Sequence, residues 1–323
     1  MSSWNAYRNR ILKFKTQFEP GSIRLENLSP AIRKKQFDGL VIVGMGGSGL
    51  PGTLLESLAE AIKLPVPFVV SKTYGLPKMP FKKPLVLCVS FSGNTEETLS
   101  AFREAKRGKL PLAVVTSGGK LLPLARAARV PLASFDPQDL TPREAIGYTW
   151  TSVKFLLANH FASVVRVGFS GVLHPAKLEE EGKTLATHFK SNIPLIYTDS
   201  AYASVGYVWK INLNETGKSP AFANVIPEMV HNEIAGFETA GRVFVPCFIL
   251  DPRASKEIRK KTRVVKKVLE TRGFRTVTTT LRGKTKEEKI MNAIVLSEWT
   301  SLYVAKMNKK DPKNTRIIEE IKK

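Results

Sequence analysis

The stretch Val-Ser-Phe-Ser-Gly-Asn-Thr-Glu-Glu-Thr at residues 89–98 decides how the rest of this chain is interpreted. It follows an apolar run, 84–89, that predicts a buried strand, and it leads into a helical pattern. Ser90, Ser92 and Thr95 are therefore expected in a strand-to-helix turn, beside the free N–H groups of a helix N-terminus. Such a turn binds a phosphate group without a basic side chain. The alternative is an ordinary helix N-cap with spare hydroxyl groups.

A second glycine-rich turn, Gly-Met-Gly-Gly-Ser-Gly at residues 44–49, follows the preceding strand pattern. Its glycines satisfy G-x-G-x-x-G, so a dinucleotide site is one hypothesis. That hypothesis requires an acidic residue at the end of the second strand to hold the ribose, where this chain has Lys72. A lysine is able to meet a 2′-phosphate, so the hypothesis is weakened but stays open. Gly47 and Ser48 are equally suited to face a sugar or its phosphate, because glycine lets the backbone approach a ligand closely.

Both turns belong to an alternation of strands and helices that runs from residue 38 to about 162. Such alternation predicts an α/β fold, with a parallel sheet flanked by helices. A glycine- and proline-containing segment, 166–175, is typical of a linker, and a second α/β pattern follows it. We therefore expect two similar domains, at residues 1–165 and 166–323. The predicted strands are Gly39–Val43, Val66–Val70, Leu85–Val89, Leu112–Val115, Val130–Ala133, Ile193–Tyr197, Val243–Leu250 and Arg275–Thr279. The predicted helices include Trp4–Phe18, Pro30–Gln36, Thr141–Ala162, Pro175–Phe189, Ala201–Lys210, Ser255–Arg272, Thr285–Asn308 and Asn314–Lys323.

The composition limits the class of protein and its partners. The 323 residues are 43% hydrophobic, enough for a sizeable core. The longest apolar run, near 243–250, is too short to cross a bilayer, and the N-terminal segment is charged and amphipathic, so we expect a cytoplasmic protein with no membrane partner. A net charge of +22 favours anionic partners. The basic residues are widely spread and no nucleic-acid motif is present, which favours a solvated charged surface over a nucleic-acid site.

The sequence contains no complete motif for a metal site or for a serine hydrolase. Cys88 and Cys247 each lie in a predicted buried strand and are expected to be core residues. Glu228-x-x-His231 resembles half of a di-iron site, but no second such pair exists. His231-x-Glu233 resembles the start of a zinc deaminase motif, but the following Pro-Cys-x-x-Cys is missing. There is no G-x-S-x-G elbow. We therefore predict no metal site and no serine nucleophile.

Ionisable residues that suit proton transfer lie in the second half of the chain. Glu215 follows a helical pattern, and His231 comes shortly after it. A carboxylate and an imidazole near a phosphate crevice suit the roles of general base and general acid. The alternatives are a solvated loop carboxylate for Glu215 and a half-buried structural histidine for His231.

Taken together, these motifs resemble the bifunctional phosphoglucose/phosphomannose isomerase family of the sugar isomerase (SIS) superfamily, over nearly the whole chain. The motifs that carry the resemblance, in family order, are those at residues 44–49, 90–98, 142–143, 214–215, 227–233 and 311–322. The resemblance implies two flavodoxin-like SIS domains in a homodimer with active sites at the interface. It implies interconversion of glucose 6-phosphate, mannose 6-phosphate and fructose 6-phosphate through a cis-enediol, with no cofactor.

The resemblance also implies roles for particular residues. The substrate contacts come from the two turns, through Gly47, Ser48, Ser90, Ser92 and Thr95. Glu215 corresponds to the base that moves the proton between C1 and C2. His231 corresponds to the ring-opening acid/base, which reaches across from the partner subunit. Arg143 corresponds to the arginine beside the enediolate, where a permanently charged side chain suits the developing negative charge.

Two further residues are implied near the C-terminus. Lys322 corresponds to an active-site lysine, with a one-residue ambiguity because Lys323 adjoins it. Thr315 corresponds to the position where a threonine accompanies mannose 6-phosphate activity. Two motifs depart from the family pattern. Phe91 stands where tyrosine is commoner, and Asn-Glu-Thr-Gly-Lys at residues 214–218 replaces the usual Asn-Glu-Asn-Ala-Lys. A non-catalytic sugar-phosphate sensor on the same fold is the alternative function, although a sensor needs no base.

Overall fold

The computed structural model describes residues 3–19, 21–28, 37–164 and 172–321, and the chain forms two compact units. The N-terminal unit is Lys15–Ser170, and the C-terminal unit combines Met1–Phe14 with Gly171–Lys323. The first helix, α1 (Ser3–Leu12), therefore belongs to the C-terminal unit although it opens the chain. None of the helices in the described ranges is long and apolar enough to cross a membrane.

The N-terminal unit is an α/β layer structure. Its strands are β1 (Arg24–Glu26), β2 (Gly39–Val43), β3 (Phe68–Ser71), β4 (Pro84–Ser90), β5 (Leu112–Thr116) and β6 (Leu132–Ser134). Its helices are α2 (Leu50–Leu58), α3 (Glu96–Arg107), α4 (Leu121–Ala127) and α5 (Ile146–His160). The order across the sheet is β1-β6-β5-β4-β2-β3, and all neighbouring strands are parallel except β1 and β6. Without β1, this is the 2-1-3-4-5 order of flavodoxin-like folds.

Burial explains why these strands form the centre of the unit. Every residue of β2, β4 and β5 is buried, as expected for parallel strands covered by helices on both faces. In register, Val41 pairs with Val86, and Val86 with Leu112. The apolar runs that predicted these strands are therefore the core of the sheet.

The C-terminal unit repeats the same design with fewer strands. Its strands are β7 (Ile193–Asp199), β8 (Phe222–Ile226), β9 (Phe244–Leu250) and β10 (Val277–Thr280), all parallel, in the order β10-β9-β7-β8. Its remaining helices are α6 (Glu179–Phe189), α7 (Ala203–Glu215), α8 (Lys256–Thr271), α9 (Lys286–Met307) and α10 (Arg316–Ile321). Counting from β7, the order is 2-1-3-4. The predicted α/β class with flavodoxin-like sheets is thus confirmed.

The long helix α9 organises the helical layer of this unit. Trp299 on α9 is fully buried, and its Nε1 donates to the carbonyl of Pro175 at 2.8 Å. On the other side, Trp209 of α7 donates to the carbonyl of Ala293 at 2.9 Å. The first helix also packs here, because Arg8 forms a bidentate pair with Glu179 at 2.6 and 2.7 Å.

The sequence patterns did not predict two of the strands, β1 and β8, and they placed the start of helix α5 too early. β1 has three residues and lies antiparallel at the sheet edge. β8 is half exposed, so it lacks the apolar pattern that identified its neighbours. Helix α5 begins at Ile146 rather than near Thr141, because the Gln17 side chain accepts from the N–H groups of Gly147 and Tyr148 and so caps the helix there. The predicted helix Pro30–Gln36 and most of the predicted linker lie outside the described residues.

Candidate functional site

The two turns singled out in the sequence meet at one point of the N-terminal sheet. β2 and β4 are parallel neighbours, and the chain moves outward from them in opposite directions, to β3 on one side and to β5 on the other. A crevice forms at the carboxyl ends of strands at such a switch point, and ligands of open α/β sheets bind there. The 44–49 turn follows β2 and the 90–95 turn follows β4, so both turns border this crevice.

A buried hydrogen bond joins the two turns. The Oγ of Ser48 accepts from the backbone N–H of Phe91 at 2.8 Å, and Ser48 is 5% exposed. In the second turn, the Ser90 Oγ accepts from the N–H of Gly93 at 3.1 Å and donates to the Thr95 Oγ1 at 3.0 Å. Ser48 and Ser90 therefore shape the turns from inside, since each bonds to a neighbouring loop group.

Ser92 and Thr95 are the hydroxyl residues of the second turn that are not fully buried. Ser92 is exposed and its Oγ accepts from the N–H of Asn94 at 3.2 Å. Thr95 is half-buried and is the N-cap residue of α3, yet its side chain does not accept from the helix. The first N–H groups of this helix are thus left uncapped by the residue that usually satisfies them. Uncapped N–H groups beside two hydroxyls are the arrangement that accommodates a phosphate.

Because Gly47 has no side chain, the Pro142–Arg143 segment packs closely against the first turn. A Cβ at Gly47 would lie 2.7 Å from the backbone nitrogen of Arg143 and 2.7 Å from the carbonyl carbon of Pro142. A side chain at position 47 would therefore displace this segment. Arg143 is only 2% exposed, and Glu144 beside it accepts from the N–H and the hydroxyl of Thr141 at 2.9 and 2.7 Å. The backbone at Pro142 and Arg143 therefore packs against the first turn at Gly47, next to Ser48.

Sequence analysis missed a third turn, residues 116–119, after β5. The Ser117 Oγ donates to the carbonyl of Phe91 at 2.5 Å, and the N–H of Lys120 donates to the Asn94 Oδ1 at 3.0 Å. Gly93 has φ +68°, and a Cβ there would collide with the carbonyl of Gly118. The sequence contains a pattern that could have identified this turn. Thr-Ser-Gly-Gly at residues 116–119 follows an apolar strand, as the other two turns do.

In the C-terminal unit, Glu215 ends α7 and lies next to the C-terminal segment. The Lys218 Nζ donates to the carbonyl of Glu215 and to that of Pro312, the latter at 3.5 Å. The Asn308 side chain donates to the carbonyl of Gly217 at 3.4 Å. These bonds tie the residues after α7 to the segment before α10, where Thr315 lies. Glu215 and Thr315 are both half-buried.

A buried hydrogen-bond chain supports the loop after Glu215. The Tyr7 hydroxyl lies 2.9 Å from the Thr216 Oγ1 and donates to Glu298 at 2.8 Å. All three side chains are almost fully buried. Thr216, one of the departures from the family motif, therefore has a structural role, because it joins this loop to α1 and α9.

His231 lies on a surface turn whose other motif residues hold one another. The Asn232 side chain donates to Glu228 at 2.7 Å, and the Glu233 carboxylate accepts from Tyr197 and, at 2.6 Å, from Asn224. Burial, and then the hydrogen bond to Glu233, raise the pKa of the Tyr197 hydroxyl, so it stays a donor. The His231 side chain itself is exposed. It also borders a groove formed with Val230, Ile234 and α8.

One chain does not bring Glu215 and His231 together. The Asn214 Oδ1 accepts from the N–H of Ala221 at 2.8 Å, which places Glu215 at the start of β8. His231 comes after the other end of β8. Five residues of strand span roughly 16 Å, so the two side chains lie at opposite ends of the strand. Lys322 and Lys323 lie outside the described residues, and their assignment stays a prediction. Within the described ranges, no group of three or more His, Cys, Asp and Glu side chains is placed to hold a metal ion.

Comparisons with known proteins agree with this architecture. The model of the bacterial phospho-glucose isomerase C-terminal SIS domain matches residues 178–323. The chain is 31% identical over 312 residues to the bifunctional phosphoglucose/phosphomannose isomerase of Aquifex aeolicus, which covers 96% of this chain and 95% of that protein. It is 32% identical over 220 residues to the D-glucosamine-6-phosphate 4-epimerase of Sulfolobus acidocaldarius, covering 67% of this chain and 69% of that protein. The structure of glucosamine-6-phosphate deaminase from Thermotoga maritima superposes with a TM-score of 0.69 at 14% identity, over 97% of each chain.

The parallel sheets, the hydroxyl- and glycine-rich turns at the switch point of the N-terminal sheet, and the match of residues 178–323 to a SIS-domain model place the protein in the sugar isomerase (SIS) class. Within that class, the chain belongs to the bifunctional phosphoglucose/phosphomannose isomerase family, as the identity over nearly the whole of both chains shows.

Proposed function

We propose that this protein is an aldose–ketose isomerase that interconverts glucose 6-phosphate, mannose 6-phosphate and fructose 6-phosphate through a cis-enediol. The observation that carries the proposal is the pair of hydroxyl-rich turns at the carboxyl ends of β2 and β4, joined by the Ser48–Phe91 hydrogen bond in a chain of this family. Each compact unit would correspond to one SIS domain.

The phosphate group would be held by the second turn. Ser92 is exposed and Thr95 is half-buried, so both can contribute a hydroxyl group, and α3 supplies backbone N–H groups that Thr95 does not cap. The helix dipole favours negative charge at this end. Gly47 and Ser48 would contact the sugar or its phosphate from the first turn, and Ser90 would act through the shape of the second.

The chemical step requires a base and a fixed positive charge. The C–H next to a carbonyl is a weak acid, so a carboxylate removes its proton only if the enediolate is stabilised. Glu215 would transfer the proton between C1 and C2, and Arg143 would stabilise the negative charge, because a guanidinium stays protonated throughout. A preorganised partner of this kind is worth about 3–4 kcal/mol of barrier. Lys322 would complete the polar surroundings of the substrate, and Thr315 would permit mannose 6-phosphate as a substrate.

The position of His231 supports a homodimer with shared active sites. Within one chain His231 and Glu215 lie at opposite ends of β8, so one subunit is poorly arranged to use both on one sugar. In a two-fold dimer, the histidine of one subunit faces the site of the other if the interface contains that surface. We propose that His231 of one subunit opens the sugar ring bound beside Glu215 of its partner.

One assay tests the proposed function. Purified protein with fructose 6-phosphate and no added cofactor is expected to produce both glucose 6-phosphate and mannose 6-phosphate, and turnover is expected to persist with a chelator present. Parallel incubation with glucosamine 6-phosphate tests 4-epimerisation, the activity named for the Sulfolobus relative. Binding of fructose 6-phosphate without conversion would instead identify a sensor. A requirement for a nicotinamide cofactor would support the dinucleotide hypothesis.

A further inference from the structure

The C-terminal unit has a crevice of its own at the equivalent switch point. β7 and β9 are parallel neighbours, and the chain moves outward from them to β8 on one side and to β10 on the other. A cavity of about 320 Å³ lies at their carboxyl ends. It is bordered by Asp199 at the end of β7, Asp251 after β9, Thr280 at the end of β10, and α8. Ligands of open α/β sheets bind at this position.

The chemistry of this crevice differs from that of the N-terminal one. The turn after β7 has no glycine between Asp199 and Ala203, and Tyr202 fills it with a side chain that is 6% exposed. The backbone at this turn is therefore less open to close approach by a ligand. Recognition here has to come from side chains.

Three cations on one face of α8 line the cavity: Arg259, Arg263 and Lys266. Their spacing of four and then three residues places them on the same side of the helix. Arg259 and Arg263 are exposed, and among the described residues no carboxylate lies within ion-pair distance of either. Hydrogen bonds from its own backbone N–H and from Ser255, and then the charge of Arg259, lower the pKa of Glu257, which is exposed and does not line the cavity. The two guanidinium groups are thus available to an anionic ligand.

The carboxylate at the floor of the crevice is already neutralised. Both oxygens of Asp251 accept from the Lys289 Nζ at 2.7 Å, and one accepts from the Tyr202 hydroxyl at 2.6 Å. Burial alone would raise the pKa of Asp251, but these hydrogen bonds outweigh it and lower that pKa. The other acid, Asp199, accepts from the N–H of Ala201. With Lys289 counted, four cations face two carboxylates, which leaves a net positive crevice.

We propose that this crevice, lined by Arg259, Arg263 and Lys266, is a second ligand site that binds a small metabolite bearing two phosphate groups. Arg259 and Lys266 are seven residues apart, or roughly 10 Å along the helix axis. The Lys266 Nζ is held toward β10, where it donates to the Thr278 Oγ1 at 2.7 Å. Two anionic groups on one small molecule therefore match this spread of cations better than a single phosphate does. Guanidinium groups suit such a ligand because they pair with phosphate through two parallel hydrogen bonds.

Calorimetric titration of the full-length protein tests this site. The probes are pyrophosphate, fructose 1,6-bisphosphate and inorganic phosphate, each added in the presence of excess fructose 6-phosphate to occupy the N-terminal crevice. The double variant Arg259→Gln/Arg263→Gln removes two lining charges. Its matched control, Lys256→Gln/Lys267→Gln, removes two charges from exposed α8 positions that do not line the cavity. A second pair compares the affinity of Lys266→Gln, which removes a lining charge, with that of Lys267→Gln, which removes a neighbouring charge outside the cavity.

The expected result is one site per chain for a bisphosphorylated probe, weakened about tenfold or more by the Arg259/Arg263 change, as for the loss of a charge-assisted pair. The control double variant should bind within about twofold of wild type, since it alters only the long-range field. Inorganic phosphate should bind more weakly than either larger probe. Equal weakening in both double variants, equally tight binding of inorganic phosphate, or no binding of either larger probe at about 1 mM would overturn the proposal.

Discussion

The Oγ of Ser48 accepts a hydrogen bond from the backbone N–H of Phe91 at 2.8 Å, and both residues are at least nine-tenths buried. This bond links the turn after β2 to the turn after β4. The family resemblance predicts that Ser48 contacts the substrate, and the structure shows that it joins the two turns. Measurements of substrate affinity and of stability distinguish these two roles.

Substitution of Ser48 by alanine is expected to reduce both stability and substrate affinity. The Phe91 N–H would be left buried without an acceptor, at a cost of about 1–3 kcal/mol. Urea unfolding measures this change in the free energy of unfolding. Ser92→Ala is the matched control, because the Ser92 hydroxyl is exposed and its loss should change stability by less than about 0.5 kcal/mol. Both variants should raise KM for fructose 6-phosphate. Wild-type stability in Ser48→Ala would show that the hydrogen bond contributes nothing.

Replacing Glu215 by glutamine should remove the proton-transfer step and leave substrate binding intact. General-base catalysis typically contributes a factor of about 10² to 10⁴, so kcat should fall by that amount. The calorimetric dissociation constant for fructose 6-phosphate should stay close to the wild-type value. Glu60→Gln, at an exposed position of the N-terminal unit, is a control for the loss of a carboxylate. Near-wild-type turnover in Glu215→Gln would exclude Glu215 as the base.

Mixing two inactive variants tests whether His231 acts across a dimer interface. Glu215→Gln and His231→Asn would each impair every site when expressed alone. In a mixed dimer with shared sites, one site receives an intact glutamate and an intact histidine. Random exchange of equal amounts should therefore restore about a quarter of wild-type activity. If each subunit uses its own histidine, the mixture stays as inactive as its components after subunit exchange has been demonstrated by mass spectrometry.

The Arg8–Glu179 pair should make stability depend on pH on the acid side. Burial tends to raise the pKa of Glu179, but hydrogen bonds from Arg8 and Tyr303 outweigh it and lower the pKa below 4.5. A lowered pKa in the folded state stabilises the protein above the unfolded-state value, and this contribution is lost as the pH falls through the folded-state pKa. Glu179→Gln should therefore be less stable than wild type at pH 7, by about 1 kcal/mol.

The stability difference between Glu179→Gln and wild type should shrink as the pH falls below about 4.5. Unfolding curves at a series of pH values measure this difference. Glu180→Gln is the control on the same helix, because Glu180 is 79% exposed and pairs with Lys183 at 3.3 Å. The free energy of unfolding of Glu180→Gln should stay close to that of wild type at every pH. If the difference in unfolding free energy between Glu179→Gln and wild type stays constant across the series, the lowered pKa of Glu179 does not contribute to stability.

The strands that form the sheet centres were predictable because each is an uninterrupted apolar run. β2 was predicted with its observed limits, Gly39–Val43. β8 was missed because its first residues are exposed, so its sequence, Phe-Ala-Asn-Val-Ile, carries no burial pattern. The start of α5 was misplaced because Gln17, about 130 residues away in sequence, caps it. Contacts of that range leave no local signal in a single sequence.

The sequence by itself determined the fold class and the polar turns, since buried parallel strands and glycine- or hydroxyl-rich turns are local patterns. Only the tertiary structure decided which hydroxyls face inward, as for Ser48 and Ser90, and which reach solvent, as for Ser92. It also decided that Glu215 and His231 stand at opposite ends of a strand. The reason is that exposure and separation depend on strand order and loop packing, which bring together residues that are far apart along the chain.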